Sequence, residues 1–217
     1  MSPNMSLKEA ERKAFRSTFQ DGLLDIYLGF LLLGMGIGPV LPDLESVTSV
    51  VWTVIILLVL NVLAWLAFWA GKKFITTPRM GLVRFSPQRK AKLKKVRAVL
   101  FLSVLLGVAM FILRLGAREN GLPGWAAGIP IPAYVWAVQA IVVFGLGAYF
   151  LDVSRFYVYG VLYAVPFPAG VVLLQNTDLP GLMFFLPFGV SAGVMVLIGT
   201  VLFIRFLRDY PIPAEEA

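Results

Sequence analysis

Six stretches of this chain are apolar for about as long as a helix needs to cross a bilayer: 22–41, 47–70, 97–115, 131–151, 156–174 and 181–206. A helix rises about 1.5 Å per residue and the hydrocarbon core is about 30 Å thick, so roughly 20 apolar residues span it. Backbone N–H and C=O groups find no water there, and a helix satisfies them within one segment. With 59% hydrophobic and 14% charged residues and a mean hydropathy of +0.84, a soluble domain could not cover so much apolar surface. The expected fold class is therefore all-α: a polytopic transmembrane bundle of about six spans over 21–206. It is preceded by a leader, 1–20, and followed by a tail, 207–217.

Orientation follows from the cations. Residues 71–97 carry ten Lys or Arg and no Asp or Glu. Cytoplasmic loops hold the excess of Lys and Arg. With the N-terminus inside, the leader, the 71–97 loop, the 152–155 turn, the tail and Arg205 together hold 17 of the 19 basic residues, leaving Arg114 and Arg118 outside. Both termini are thus expected in the cytoplasm. Trp52, Trp125 and Trp136 then fall near the outer interface, and Trp65 and Trp69 near the inner one, as an aromatic belt requires. The net charge of +7 belongs to juxtamembrane residues, which points to anionic lipid headgroups rather than nucleic acid. Lys72, Lys73, Arg84, Arg89, Lys90, Lys92, Lys94 and Lys95 are the expected lipid-facing cations.

Local signals refine this plan. Residues 5–20 read as a basic amphipathic helix on the membrane or as a solvated leader, with Ser6 and Glu9 at capping-box spacing. The first apolar run is expected to stay as a span, since Gly36-Ile37-Gly38-Pro39 is a poor cleavage context. Thr77-Pro78-Arg79-Met80-Gly81 has turn chemistry, and Ser86-Pro87 predicts a new helix start, running about 29 residues to Leu115 with a basic stalk. Asp152-Val153-Ser154-Arg155 predicts a helical hairpin. The segment 116–130, rich in Gly and Pro, reads as a plain loop or as one dipping back into the interface. Gly34, Gly36 and Gly38, and the Gly189–Gly193 pair at GxxxG spacing, suit close helix approach within the monomer or in a homodimer. Pro166, Pro168 and Pro187 predict kinks.

The chemistry is bounded by what is missing. The chain has no Cys and no His, which excludes disulfides, thiolate and imidazole metal sites, and Cys or His catalysis. It has no GxSxG, HExxH or P-loop motif, and Asp21-Gly22 lacks the Ala-Arg that continues a phosphatidyltransferase signature. No enzymatic activity and no cofactor is expected. Polar residues inside spans are the remaining candidates. Asp21 and Asp25 stand one turn apart at the inner end of the first span, at the level of Arg97, Asp152 and Arg155. Two readings fit: an ion pair of Asp25 with Arg97 or Arg155 that sets helix register, or a proton or cation site. Asn61 and Gln139 are the deepest amides, suited to interhelical hydrogen bonds or to a transport path.

Phe19-x-Asp21-Gly22-x-x-Asp25 and Thr77-Pro78-Arg79-x-Gly81-x-Val83 resemble recurring elements of a loosely defined family of prokaryotic multi-span membrane proteins of uncharacterised function. The resemblance covers the first half of the chain and implies a multi-pass protein of a prokaryotic cytoplasmic membrane. It marks Arg79 and Asp25 for attention and supplies no substrate. Two functional expectations stand. One is a non-catalytic scaffold or subunit whose basic loop engages anionic lipid or a cytoplasmic partner. The other is a small transporter or channel using Asp25, Asn61 and Gln139.

Overall fold

The computed structural model describes residues 19–37, 47–80, 87–120, 131–175 and 180–211. Most of the expected leader helix, the whole 81–86 connection including Arg84, and the 121–130 segment lie outside these residues. The described chain is helical throughout. Four stretches are long and apolar enough to cross a membrane: Val51–Arg79, Ile131–Leu151, Arg155–Leu174 and Gly181–Asp209. Large apolar side chains stand exposed along them, including Trp52, Leu58, Val138 and Leu197. Such continuous apolar exposure is foreign to a soluble surface and is the character of a membrane protein.

The helices fall into two compact units, one discontinuous in sequence (Met1–Phe85 with Thr177–Ala217) and one continuous (Ser86–Asn176). The first unit holds α1 (Leu23–Ile37), α2 (Val47–Ala70), a π-helical segment (Gly71–Thr76), α3 (Thr77–Met80) and α8 (Pro180–Asp209). Its core is the antiparallel pair of α1 and α8. Gly22, Gly29 and Gly36 stand seven residues apart. A Cβ at Gly22 would lie 2.1 Å from the Gly199 carbonyl oxygen, one at Gly29 3.1 Å from that of Ala192, and one at Gly36 2.6 Å from Phe188 Cβ. As α1 advances by seven each time, α8 steps back by seven, from Gly199 to Ala192, and then by four, to Phe188. The seven-residue spacing on α1 keeps one seam facing its partner, and the missing side chains let the helices touch. Leu32 and Met195 fill the seam and are fully buried.

Within the chain the Gly189–Gly193 pair makes no interhelical contact among the described residues: Gly193 faces open space and Gly189 meets Phe185 of its own helix. Close approach instead uses Gly199 and Ala192 of α8, the positions that face Gly22 and Gly29. The second span also continues past Ala70. Its residues 71–80 stay helical, so Thr77–Met80 is helix rather than turn. Pro78 is tolerated because it sits in the first turn after a change of helix type, where its missing N–H costs little.

The second unit holds α4 (Pro87–Asn120), α5 (Ile131–Leu151), α6 (Arg155–Ala164) and α7 (Pro166–Gln175). α4 starts at Pro87 as expected and runs 34 residues, about 51 Å. The expected hairpin joins α5 to α6. Asp152 takes a left-handed φ of 62°, and the Val153 N–H donates to the Ala148 carbonyl at 3.1 Å. This is a Schellman closure with Asp in the place usually held by Gly, and Val153 is buried beneath it. Phe144, Phe156 and Tyr163 pack across the hairpin, with Phe144 and Tyr163 ring centroids 4.7 Å apart. Pro166 and Pro168 divide the fifth apolar stretch at Val165, which still donates to the Val161 carbonyl at 3.0 Å, so the ladder bends without parting. In the turn before the prolines, the Tyr163 carbonyl accepts from the Trp136 indole at 2.7 Å, which gives that tryptophan an interhelical role.

Candidate functional site

Four polar side chains of the first unit, Asp21, Lys72, Thr76 and Arg79, converge at one end, where α1 begins and α8 finishes. Gly22 takes a left-handed φ of 73°, and its carbonyl accepts the first helical bond of α1 from the Ile26 N–H at 3.1 Å. That turn places Asp21 just before the helix and Asp25 in its first turn, where a carboxylate complements the dipole. Both side chains are fully buried.

Asp21 is held from the next helix. Lys72 Nζ lies 2.6 Å from Asp21 Oδ2, and the Thr76 hydroxyl donates to the same oxygen at 2.7 Å. Both partners sit within the π-helical segment, four residues apart and on one face. The Thr77 backbone N–H and hydroxyl both donate to the Lys72 carbonyl, which closes the π turn. Lys72 also stacks 5.8 Å from the Phe68 ring centroid, and its side chain is 23% exposed. The second carboxylate oxygen, Asp21 Oδ1, is buried with no hydrogen-bond partner among the described residues. A buried charge of this kind is costly to form and more costly to strand.

Arg79, in the turn beyond Thr76, reaches α8. Its Nη1 donates to the Tyr210 carbonyl at 2.8 Å and to the Leu207 carbonyl at 3.4 Å. The last carbonyls of a helix lack intrahelical donors and carry partial negative charge, so a guanidinium both satisfies and neutralises them. Arg79 is thus a C-terminal clasp on α8. Asp21, Lys72, Thr76 and Arg79 tie three helices together at one end.

The other expected residues are distributed as follows. Arg97, Asp152 and Arg155 belong to the second unit and Asp25 to the first. Arg155 lies 6.0 Å from the Phe156 ring centroid. Lys72, grouped by sequence with the lipid-facing cations, is engaged with Asp21, whereas its neighbour Lys73 is exposed and stacks on Trp69 at 4.7 Å. Lys92, Lys94, Lys95 and Arg97 are exposed on α4; Lys95 lies 5.7 Å from the Phe150 ring centroid. Arg89 and Lys90 sit on the first turn of the same helix.

Asn61 donates to the Leu57 carbonyl of its own helix at 2.7 Å. It also borders an apolar groove of about 410 Å³ between α1 and α2. Gln139 joins α5 to α4, donating to the Ser103 carbonyl at 2.8 Å and to its hydroxyl. Replacing Gln139 with Leu should lower stability by about 0.6–1.7 kcal/mol, the range for one such bond in a membrane. Unfolding in mixed detergent micelles measures it.

Sequence reasoning missed Thr76, Ser103 and Gly199. Thr76 stands four residues after Lys72, the spacing that brings two side chains onto one acceptor, and that signal was available. Among the described residues no group of three acidic side chains is placed to hold a metal ion. No protein-family model, curated protein or solved structure matches the chain.

Proposed function

We propose that this protein is a non-catalytic component of a prokaryotic cytoplasmic membrane, crossing it six times with both ends inside, whose basic face gathers anionic lipid headgroups. The single observation that carries the reading is the start of α4. Lys92, Lys94, Lys95 and Arg97 are exposed over less than two turns, directly before exposed Leu100, Phe101, Leu102 and Val104. A helix that passes from exposed cations to exposed apolar side chains in one turn suits the boundary between headgroups and acyl chains. At about 51 Å, α4 exceeds the roughly 30 Å hydrocarbon thickness, which leaves its basic turns beyond the core.

Each cation near an anionic surface contributes about 1 kcal/mol. Purification into native lipid nanodiscs should therefore enrich anionic over zwitterionic phospholipid. Changing Lys92, Lys94, Lys95 and Arg97 together to Gln should remove that enrichment by at least about tenfold. An unchanged lipid profile overturns the reading. An unchanged profile with loss of a co-purifying protein assigns the basic turns to a cytoplasmic partner instead.

A second reading, ion or solute transport, is supported by the two fully buried carboxylates of α1. Against it, both deep amides are spent on protein carbonyls. Solute flux in reconstituted vesicles, abolished by Asp25→Asn in folded protein, would establish transport and displace the scaffold.

A further inference from the structure

We propose that the groove between α1 and α2 seats one acyl chain of an anionic phospholipid, whose phosphate is met by Lys73 where the groove ends. The site rests on the same membrane reading of the chain but shares no residue with the basic turns of α4.

The groove follows from where the two helices touch and where they do not. They run antiparallel, with Leu23 against Gly71, Tyr27 stacked on Phe68 at 5.2 Å, and Gly34 facing Asn61. Gly34, Ala64 and Ala67 are too small to fill the space between the larger walls, and about 410 Å³ stays open. That is the size of a small-ligand pocket. Phe30, Leu60 and Leu63 on its walls are exposed, so it opens sideways rather than into an interior. The amide on its wall, Asn61, is turned onto the Leu57 carbonyl of its own helix at 2.7 Å. A side-opening apolar slot within a span meets acyl chains and no water. Along α2 it runs from Phe68 to Leu60, a rise of about 12 Å, which lies within one leaflet's half of a hydrocarbon core about 30 Å thick. One chain of one leaflet fits that depth, whereas a helix of another protein would need a groove across the whole core.

Charge at one end selects the headgroup. The Phe68 end of the groove is the basic one: Lys72 Nζ lies 5.8 Å from the Phe68 ring centroid, and Lys73 follows, exposed, 4.7 Å over the ring of Trp69. A tryptophan beside lysines is the chemistry of the headgroup level. Residues 71–80 carry Lys72, Lys73 and Arg79 and no acid. Lys72 pairs with Asp21 and Arg79 caps α8, so Lys73 is the cation of these three left to a ligand. A chain lying in the groove carries its phosphate to that ammonium. A zwitterionic lipid brings its own cation to the same place and gains less.

The absence of cysteine makes the test direct. Bimane on Leu63→Cys stands on the groove wall, and bimane on Val62→Cys stands on the same helix off the groove; both positions are exposed. The full protein is placed in nanodiscs of phosphatidylcholine containing either brominated phosphatidylglycerol or brominated phosphatidylcholine, whose chains quench the label on contact. At position 63, half-quenching should need about fivefold less of the brominated anionic lipid, the effect of one cation near an anionic surface. Position 62 should show no preference. Lys73→Gln should remove the preference, and Ala67→Phe, which fills the groove, should lower quenching by both lipids. Glutamine at Lys92, Lys94, Lys95 and Arg97 should leave the preference intact. Equal half-points in the labelled parent, a preference that survives Lys73→Gln, or unchanged quenching in Ala67→Phe overturns the site. So does a preference lost with the α4 variant, which transfers the selection to α4. A preference kept at position 63 without anionic enrichment around the whole protein supports the site and overturns the reading of α4 alone.

Discussion

Placing a methyl group on Gly22 should abolish folding. In Gly22→Ala the new Cβ would sit 2.1 Å from the Gly199 carbonyl oxygen and 2.7 Å from the Phe203 backbone nitrogen. Neither atom belongs to a flexible side chain, so α8 would have to withdraw along the seam. The left-handed φ of 73° adds about 1–2 kcal/mol of its own for a residue bearing a Cβ. A displaced α8 would also lose the close fit at Gly29 and Gly36. The sum belongs to the rare class of substitutions that cost more than about 4–5 kcal/mol. Gly199→Ala should behave alike, since its Cβ would meet the Ile26 nitrogen at 2.7 Å. Gly193→Ala is the contrast: it faces open space on the same helix, where Ala is favoured over Gly by about 0.8–1 kcal/mol. Monodisperse yield after detergent extraction separates them. Full yield of Gly22→Ala would refute the glycine seam.

Lys72→Met should be the most damaging change among the cations. Among the described residues it leaves the buried Asp21 carboxylate with the Thr76 hydroxyl as its one hydrogen-bond donor. Breaking a buried pair from one side costs about 3–5 kcal/mol, because the remaining charge is stranded. Adding Asp21→Asn should return most of that loss, since the amide keeps an acceptor for Thr76 and carries no charge. Lys73→Met, on an exposed side chain one residue away, should change stability little. Thermal midpoints in detergent measure all three. A double variant no better than Lys72→Met alone would show that Lys72 acts through something other than Asp21.

Length and composition were enough to read an all-helical, membrane-like chain, because bilayer physics leaves few alternatives for long apolar runs. The hairpin at Asp152 and the start of α4 at Pro87 were equally plain, since each rests on local backbone chemistry. The boundary after Ala70 was not. The cations that follow it suggested a loop, yet a helix that leaves an apolar layer can continue through basic residues without penalty. Lys72 was misplaced for a related reason: charge counting treats every cation in a basic stretch alike, while a buried acid from another helix selects one. The glycine seam was visible as a repeat of seven at 22, 29 and 36. Reading instead the denser cluster of Gly34, Gly36 and Gly38 obscured it, because a seam is defined by its partner helix and that partner lies far along the chain.

That distance shapes how the protein is made. α1 leaves the ribosome early, yet its glycines have nothing to fit until α8 is synthesised, after Pro180. Throughout elongation the intervening hairpin unit can complete its own contacts, which are local in sequence, while α1 waits with two acids at its leading end. The seam can therefore close only once α8 has been made, and ribosome-stalled chains ending before Pro180 should be the species that membrane quality-control proteases degrade first.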